Sequence, residues 1–447
     1  MTGPSERQPG AVSVKRQRPR TKPDGEVRSR WLWTEPTVWT NRMLTALENG
    51  VNGGKWHSLM DKVWSQANLF SASMSVAGNA GAAGVDHVTI AAFSRHLDEN
   101  LQRLERALRD DTYRPQAVRR VYIPKPGSRQ RRPLGIPTVR DRVAQAALRN
   151  VLEPIFERDF AEQSYGFRPG RCCKDALRRV EQLLKEGHTH VVDVDLKSYF
   201  DTIPHDKLLA RIQEKVVDGR VLRLIERFLK GGVLDGLREW TPEQGSPQGA
   251  VVSPLLSNIY LDPLDHEMAA RGFQMVRYAD DLVILCRSQE EAEQALAAVQ
   301  TWVRTAGLLL HPEKTRLVTH EQGFDFLGYH FERGYKWPRQ KSLAKLKTRL
   351  RAKTRRTSGH SLEFIVGDVN VTSRGWFEYF KHGHWTTFEP IDSWVRMRLR
   401  SILRKRHGRK GRGRGSDHQR WPNAFFTNAG LFCLSAAHAS ARQSSRR

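Results

Sequence analysis

Cysteine is scarce in this chain: Cys172, Cys173, Cys286 and Cys433 are the only four in 447 residues. None forms a C-x-x-C pair or a zinc-like array with histidines, which argues against a structural zinc or a disulfide framework. Such thiols suit a reducing cytosol, where they act as small core residues. Long hydrophobic runs are missing as well. No segment approaches the ~18 apolar residues of a membrane span, and residues 1–30 lack the apolar stretch of a signal peptide. A cytoplasmic chain with no membrane partner is expected. The glycine-rich segment 77–86 does not match G-x-x-x-x-G-K-[ST], so a Walker-type phosphate loop is disfavoured. Acidic residues are also few: 48 Asp and Glu face 74 Lys and Arg, a net charge of +26. That excess repels itself on a folded surface and fits a polyanionic partner, nucleic acid before membrane.

What is present falls into blocks. Residues 1–30 carry eight Lys or Arg against three acids, with several Pro and Gly, and read as a flexible basic arm. Tryptophans follow at 31, 33, 39, 56 and 64, mostly as core residues, with one or two suited to stacking on bases. A helix is predicted over 91–109 with Phe93, Leu97, Leu101, Leu104 and Leu108 inward. Two β-rich segments, 118–125 and 129–137, flank a Pro-Gly turn loaded with cations and predict a hairpin with a positive tip. Helices are expected over 139–160 and 175–185, and over 206–230 with an interruption near Gly219. Gly245 and Gly249 in the loop 241–254 permit close backbone approach to a ligand. The helix predicted over 341–356 has one narrow stripe, Leu343, Leu346 and Leu350, and is otherwise basic, which suits a phosphate backbone better than a membrane. Lys345, Lys347, Arg349 and Arg351 are its candidate RNA contacts. Ten of the nineteen residues from Arg396 to Arg414 are Lys or Arg, which again points to phosphate.

The stretch Arg277-Tyr278-Ala279-Asp280-Asp281-Leu282-Val283-Ile284 sets two adjacent carboxylates between hydrophobic flanks. It predicts two buried strands joined by a tight turn with the acids at its tip. Asp is common in turns, so the pair alone decides little. Carboxylates that ionise around pH 4 are nonetheless costly to bury without a cation. A third candidate lies in His190-Val191-Val192-Asp193-Val194-Asp195, where period-two alternation puts Asp193 and Asp195 on one face. If these strands pair, Asp195, Asp280 and Asp281 make an oxygen-rich site of the kind that holds two Mg²⁺ ions for phosphoryl transfer.

In this order the motifs resemble those of reverse transcriptases. Tyr278-Ala279-Asp280-Asp281 is similar to their palm signature, and Asp195-Leu196-x-x-x-Phe200 to their first palm motif. Arg132-Pro133-Leu134-Gly135-Ile136-Pro137, Ser164-Tyr165-Gly166-Phe167-Arg168-Pro169 and Gln248-Gly249-x-x-x-Ser253-Pro254 are similar to the wording of bacterial group II intron-encoded proteins, which also act as maturases. So is Gly375-Trp376-Phe377-x-Tyr379-Phe380. The compact length and aromatic tail resemble the smaller class of these proteins, which lacks an endonuclease.

The resemblance implies an α+β right-hand polymerase. Fingers and palm, an antiparallel sheet plus helices, would span 91–330, and an α-helical thumb or maturase domain 331–410. An RNA-binding extension would cover 31–90, and a basic, aromatic, DNA-binding tail 411–447. The implied activity is RNA-directed DNA polymerisation, together with maturase action in splicing and retrohoming. Its partners would be intron RNA, an RNA template with a DNA primer, dNTPs and target DNA.

By the same resemblance Asp195, Asp280 and Asp281 bind two catalytic Mg²⁺ ions, and Phe200 excludes a 2′-hydroxyl unless it is plain core. Lys125 and Arg132 contact the incoming triphosphate, with Arg129 or Arg131 as alternatives to Lys125. Gln248 supports the nucleotide sugar and template pair. Lys314 helps protonate pyrophosphate or is simply an exposed lysine, and Asp193 reads as structural. The rival readings are a retron or diversity-generating enzyme, and a splicing cofactor whose polymerase has died. Val318-Thr319-His320 departs from the retron element Val-Thr-Gly, and Ser253-Pro254 from the Ser-Gln of diversity-generating enzymes; both departures favour the intron reading.

Overall fold

The computed structural model describes residues 24–124, 131–413 and 415–444. Its centre is a four-stranded antiparallel sheet in the order β6-β7-β3-β8, accompanied by a second four-stranded sheet, β2-β1-β4-β5, and a three-stranded one, β11-β10-β9. In chain order the strands are β1 (Val118–Pro124), β2 (Arg131–Ile136), β3 (His190–Asp195), β4 (Val233–Asp235) and β5 (Arg238–Trp240). They continue with β6 (Gln274–Tyr278), β7 (Asp281–Cys286), β8 (Arg316–Thr319), β9 (Phe324–Phe326), β10 (Tyr329–Glu332) and β11 (Tyr335–Pro338). Helices cover the central sheet and make up the C-terminal domain, which is the α+β arrangement expected.

The central sheet is apolar on both faces because its middle strands are nearly continuous runs of Val, Ile and Leu. Val192, Val194, Leu282, Ile284 and Met275 pack into the large core formed with the helices Val139–Glu157, Ser253–Ala270 and Gln289–Thr305. On the other face Val191, Val276, Val283 and Leu285 meet the helix Cys173–Lys185 and the rings of Phe324, Phe326, Tyr329 and Phe331. The apolar cover on that second face gives out at the C-terminal end of β3, where Asp193 and Asp195 take the positions that Val191 holds further back.

The expected hairpin forms, with β1 antiparallel to β2 and parallel to β4. Its tip, with Lys125 and Arg129, lies outside the described residues. The single helix predicted over 91–109 is two, Ile90–Arg95 and Leu97–Arg109. The Asn100 side chain donates to the Phe93 carbonyl at 2.9 Å, competing for the acceptor that an unbroken helix would offer the Leu97 N–H. The interruption near Gly219 is present, and Asp218 caps the second helix through the N–H groups of Arg220 and Val221.

The described residues nearest each end of the chain carry more structure than their composition suggests. The arm expected over 1–30 is helical from Asp24 to Arg30, with Val27 in the core. Trp31 and Trp39 are buried, and Trp39 donates to the Asn150 carbonyl at 2.9 Å. At the other end, Trp421, Phe426 and Leu434 enter the same core as the helices Gln340–Lys353, Leu362–Phe380 and Phe388–Arg406. Residues 415–444 are therefore part of that helical domain rather than a separate tail.

The basic run splits in the same way. Arg396 pairs with Glu389, Arg400 donates to the Trp421 carbonyl, and Arg404 pairs with the buried Asp417. Those arginines are spent on folding and leave a smaller phosphate-facing set. Phe426→Ala should cost ~3–5 kcal/mol, the usual effect of emptying a buried aromatic position. The readout is a lower urea midpoint followed by tryptophan fluorescence; an unchanged midpoint would separate the tail from the core.

Candidate active site

Tyr278 and Asp281 face each other at the end of the β6–β7 pair, so Ala279 and Asp280 alone make the turn. Ala279 has φ +60°, a left-handed conformation that costs a residue with a Cβ about 1–2 kcal/mol. The surroundings hold it there. Arg277, fully buried, donates to the Ala279 carbonyl at 2.9 Å and to Asn258 Oδ1 at 3.0 Å. It also donates to Ser164 Oγ at 2.8 Å and forms a two-pronged ion pair with the equally buried Asp265. Gly166 presses on the turn from outside: a Cβ there would lie 2.3 Å from the Ala279 nitrogen.

Register does the rest. Asp195 of β3 is directly opposite Asp281 of β7, so the two carboxylates share a face. Asp193 is on the same face and pairs with Arg316 at 3.2 Å. Asp280 follows in the turn. The three acids expected to act together thus end on adjacent strands at one edge of the apolar cover.

Their electrostatics are those of crowded negative charge. Asp281 keeps one side open to solvent, yet burial in the surrounding protein, then the charges of Asp193 and Asp280, push its pKa up to about 7. The Leu327 N–H and the Arg339 charge oppose this rise. Burial also raises Asp280, against Arg132 and Arg277, with the Asp195 charge adding to the rise. Lys314 Nζ spans the two Asp195 oxygens at 3.1 and 3.2 Å. Among the described residues no three His, Cys, Asp or Glu side chains already converge as metal ligands.

The other expected site residues surround this edge. Phe200 is buried in a short helix just after β3 and packs edge-on against Tyr199, with ring centres 5.5 Å apart. Its carbonyl accepts from the Ser246 N–H, which ties the 245–249 loop to it. In that loop the Gln248 carbonyl accepts from the Gly135 N–H at 2.7 Å. Gly249, at φ +109°, brings its backbone so near that a Cβ would sit 2.4 Å from the Gly135 oxygen. Arg132 on β2 is exposed, and its charge reaches both Asp280 and Asp201. Lys345, Lys347, Arg349 and Arg351 are on the helix Gln340–Lys353 away from the acids; Lys345, Arg349 and Arg351 are exposed and Lys347 half-buried.

Sequence reading quoted Arg277 and Gly166 only inside motifs, with no role of their own, and passed over Asp265 and Asn258. The one available signal was an arginine inside an apolar strand, which demands a buried acid somewhere in the fold. Leu327 and Gly328 form the turn between β9 and β10, both at positive φ. The Leu327 carbonyl accepts from the Tyr379 hydroxyl at 2.6 Å, so the helical domain touches a residue whose backbone N–H lowers the Asp281 pKa.

Family models match two parts of the chain. Residues 123–331 match the family model described as reverse transcriptase (RNA-dependent DNA polymerase). Residues 343–421 match the group II intron, maturase-specific domain. The chain is 35% identical over 289 residues to Protein YkfC of Escherichia coli (strain K12), covering 56% of this chain and 76% of that protein. It is 43% identical over 168 residues to the group II intron-encoded protein LtrA of Lactococcus lactis subsp. cremoris, covering 38% of this chain but only 28% of LtrA. A solved chain of a partial Cas6-RT-Cas1–Cas2 complex is 25% identical with a TM-score of 0.36, covering 56% of this chain and 41% of that one, too distant a likeness to weigh.

Two measurements test the site's construction. Arg277→Met leaves Asp265 buried and unpaired, which should destabilise the chain by ~3–5 kcal/mol, while Arg277→Met with Asp265→Leu recovers most of it. Equal losses in the single and double variants would remove the ion pair from its supporting role. For Asp281 the sign follows from proton linkage. Between about pH 4 and 7 the folded chain holds a proton that the unfolded chain has released, so the stability contributed by Asp281 falls steadily as pH rises across that window and levels off above about 7. Melting temperature should therefore fall across that window more steeply in the metal-free wild type than in Asp281→Asn; parallel profiles would contradict the raised pKa.

Proposed function

The chain belongs to the reverse transcriptases that carry a group II intron maturase domain, and on that premise we propose that Asp195, Asp280 and Asp281 are the metal-binding acids of an RNA-directed DNA polymerase. The observation that carries this reading is the register of β3 against β7, with Asp195 opposite Asp281 and Asp280 adjacent. The donor set fits a hard divalent cation. All three ligands are oxygens, and the raised pKa values of Asp280 and Asp281 mark a place short of positive charge. Magnesium, as a pair of ions, supplies charge neutralisation on the attacking and leaving oxygens of phosphoryl transfer.

The chain's own residues do the positioning. Arg132 offers its guanidinium fork to triphosphate oxygens across the cleft from Asp280. Lys125, outside the described residues, would serve from the hairpin tip. Lys314 is released from Asp195 when the acids are otherwise neutralised, which frees its proton for the departing pyrophosphate. Phe200 forms the wall that rejects a ribose 2′-hydroxyl, and Gln248 supports the nucleotide sugar and template pair. The maturase-specific domain makes group II intron RNA a partner, and the exposed cations Lys345, Arg349 and Arg351, with Lys347, supply phosphate contacts. An RNA template with its DNA primer, dNTPs and a DNA target complete the proposed partners. Among the described residues no helix is long and apolar enough to cross a membrane.

Replacing Asp280 and Asp281 with Ala should abolish cDNA synthesis from a primed RNA template while intron RNA binding persists. Loss of both together with a lost melting transition would make the acids structural. Phe200→Ala should raise ribonucleotide use relative to deoxynucleotide by about 10–100-fold, the scale of pocket discrimination by one side chain; an unchanged ratio would return Phe200 to the core. RNA affinity should fall steeply with salt, by ~10³-fold or more between about 50 and 200 mM if about six or more phosphates are contacted.

A further inference from the structure

A second cleft, of about 690 Å³, lies where the helix Cys173–Lys185, strand β11, the turn before Trp385 and the C-terminal helix Leu434–Ser444 meet. None of the acids of the polymerase site lines it. Its size falls within the ~300–1,000 Å³ usual for ligand sites.

One wall is an aromatic shelf. Tyr335 and Trp385 are 57% and 60% exposed although both are large and apolar. The His384 ring stands between them, 5.0 Å from Tyr335 and 5.7 Å from Trp385. The His384 N–H donates to the Lys336 carbonyl at 2.7 Å, which fixes the shelf to β11. Its rim is cationic. Neither Lys174 nor Arg442 has an ion-pair partner among the described residues, while the one acid in the wall, Glu181, is already neutralised by Lys336. Burial and the charges of Lys336, Lys381 and Lys174 hold His382 below its usual pKa, as expected where positive charge accumulates.

Exposed ring faces beside unpaired cations are the chemistry that recognises a base and its phosphate. We propose that this cleft binds an unpaired nucleotide of a single-stranded nucleic acid, with the base on the Tyr335–His384–Trp385 shelf and the phosphate on Lys174 and Arg442. The site does not rest on the polymerase reading, since capturing a strand here needs neither metal nor primer. A duplex fits poorly because its bases are stacked inward and present no free face to the shelf.

The test uses the full-length chain and a fluorescent oligouridylate, with a blunt RNA duplex and uridine 5′-monophosphate as comparison ligands. Trp385→Ala, and separately Lys174→Glu with Arg442→Glu, should each weaken oligouridylate binding by about tenfold, the scale of one lost base–aromatic stack. Duplex binding should change by less than about twofold, and the rate of primer extension should not move. A 4-thiouridine oligomer should cross-link to the 382–385 segment in the wild type and not in Trp385→Ala. An equal loss for oligodeoxythymidylate supports a strand of either sugar. Unchanged affinity in both variants, a matching loss for the duplex, or monophosphate binding as tight as the oligomer's would overturn the proposal. Because Lys174 and Arg442 are rim positions, the charge-reversal variant remains informative if Trp385→Ala unfolds.

Discussion

The site depends on a guanidinium that no ligand touches. Arg277 is fully buried, and burying a cation is tolerable only when its donors are matched in geometry and one partner carries the opposite charge. Asp265 meets that charge, Asn258 and Ser164 take further donors, and the Ala279 carbonyl takes another. These partners come from a helix, a loop and the turn itself. One side chain therefore fixes the positions of three segments that sequence distance keeps well apart. The two aspartates of the turn inherit their placement from a residue that precedes them by only a few positions.

That placement stores strain. Ala279 in the acid turn, Leu327 opposite Asp281, Ser198 after β3 and Phe167 against Tyr278 all have positive φ although none is glycine. Left-handed non-glycine residues survive only where neighbouring contacts over-determine them, and they gather where a backbone must present a group at a set angle. Gly166 shows the complementary solution, a missing Cβ that lets one backbone lie directly on another. The acid edge is thus tightly specified by contacts remote from any substrate.

How much of this could be read in advance depends on the range of the interactions. The turn at Ala279-Asp280 and the shared face of Asp193 and Asp195 were legible because strand alternation is local. The meeting of β3 with β7 was not, because spacing does not reveal which strands pair; ordered motifs supplied that expectation. The break at His96 escaped because Asn100, a side chain one turn on, competes for a helix acceptor. Arg277 and Asp265 escaped because a buried pair looks in sequence like an ordinary charge in each of two elements. The basic run near the C-terminus is divided in a way composition hides, since Arg396 pairs within its own helix while Arg400 and Arg404 turn to partners beyond it. Composition reported their charge and could not report its direction.

The Leu327 carbonyl accepts the Tyr379 hydroxyl of the helical domain, while the Leu327 backbone N–H acts on Asp281 to lower its pKa against the effect of burial. A single residue thus joins the helical domain to the surroundings of Asp281. The position of the helical domain and the setting of the acid turn are therefore not independent: a substitution that shifts Tyr379 also shifts the backbone beside Asp281.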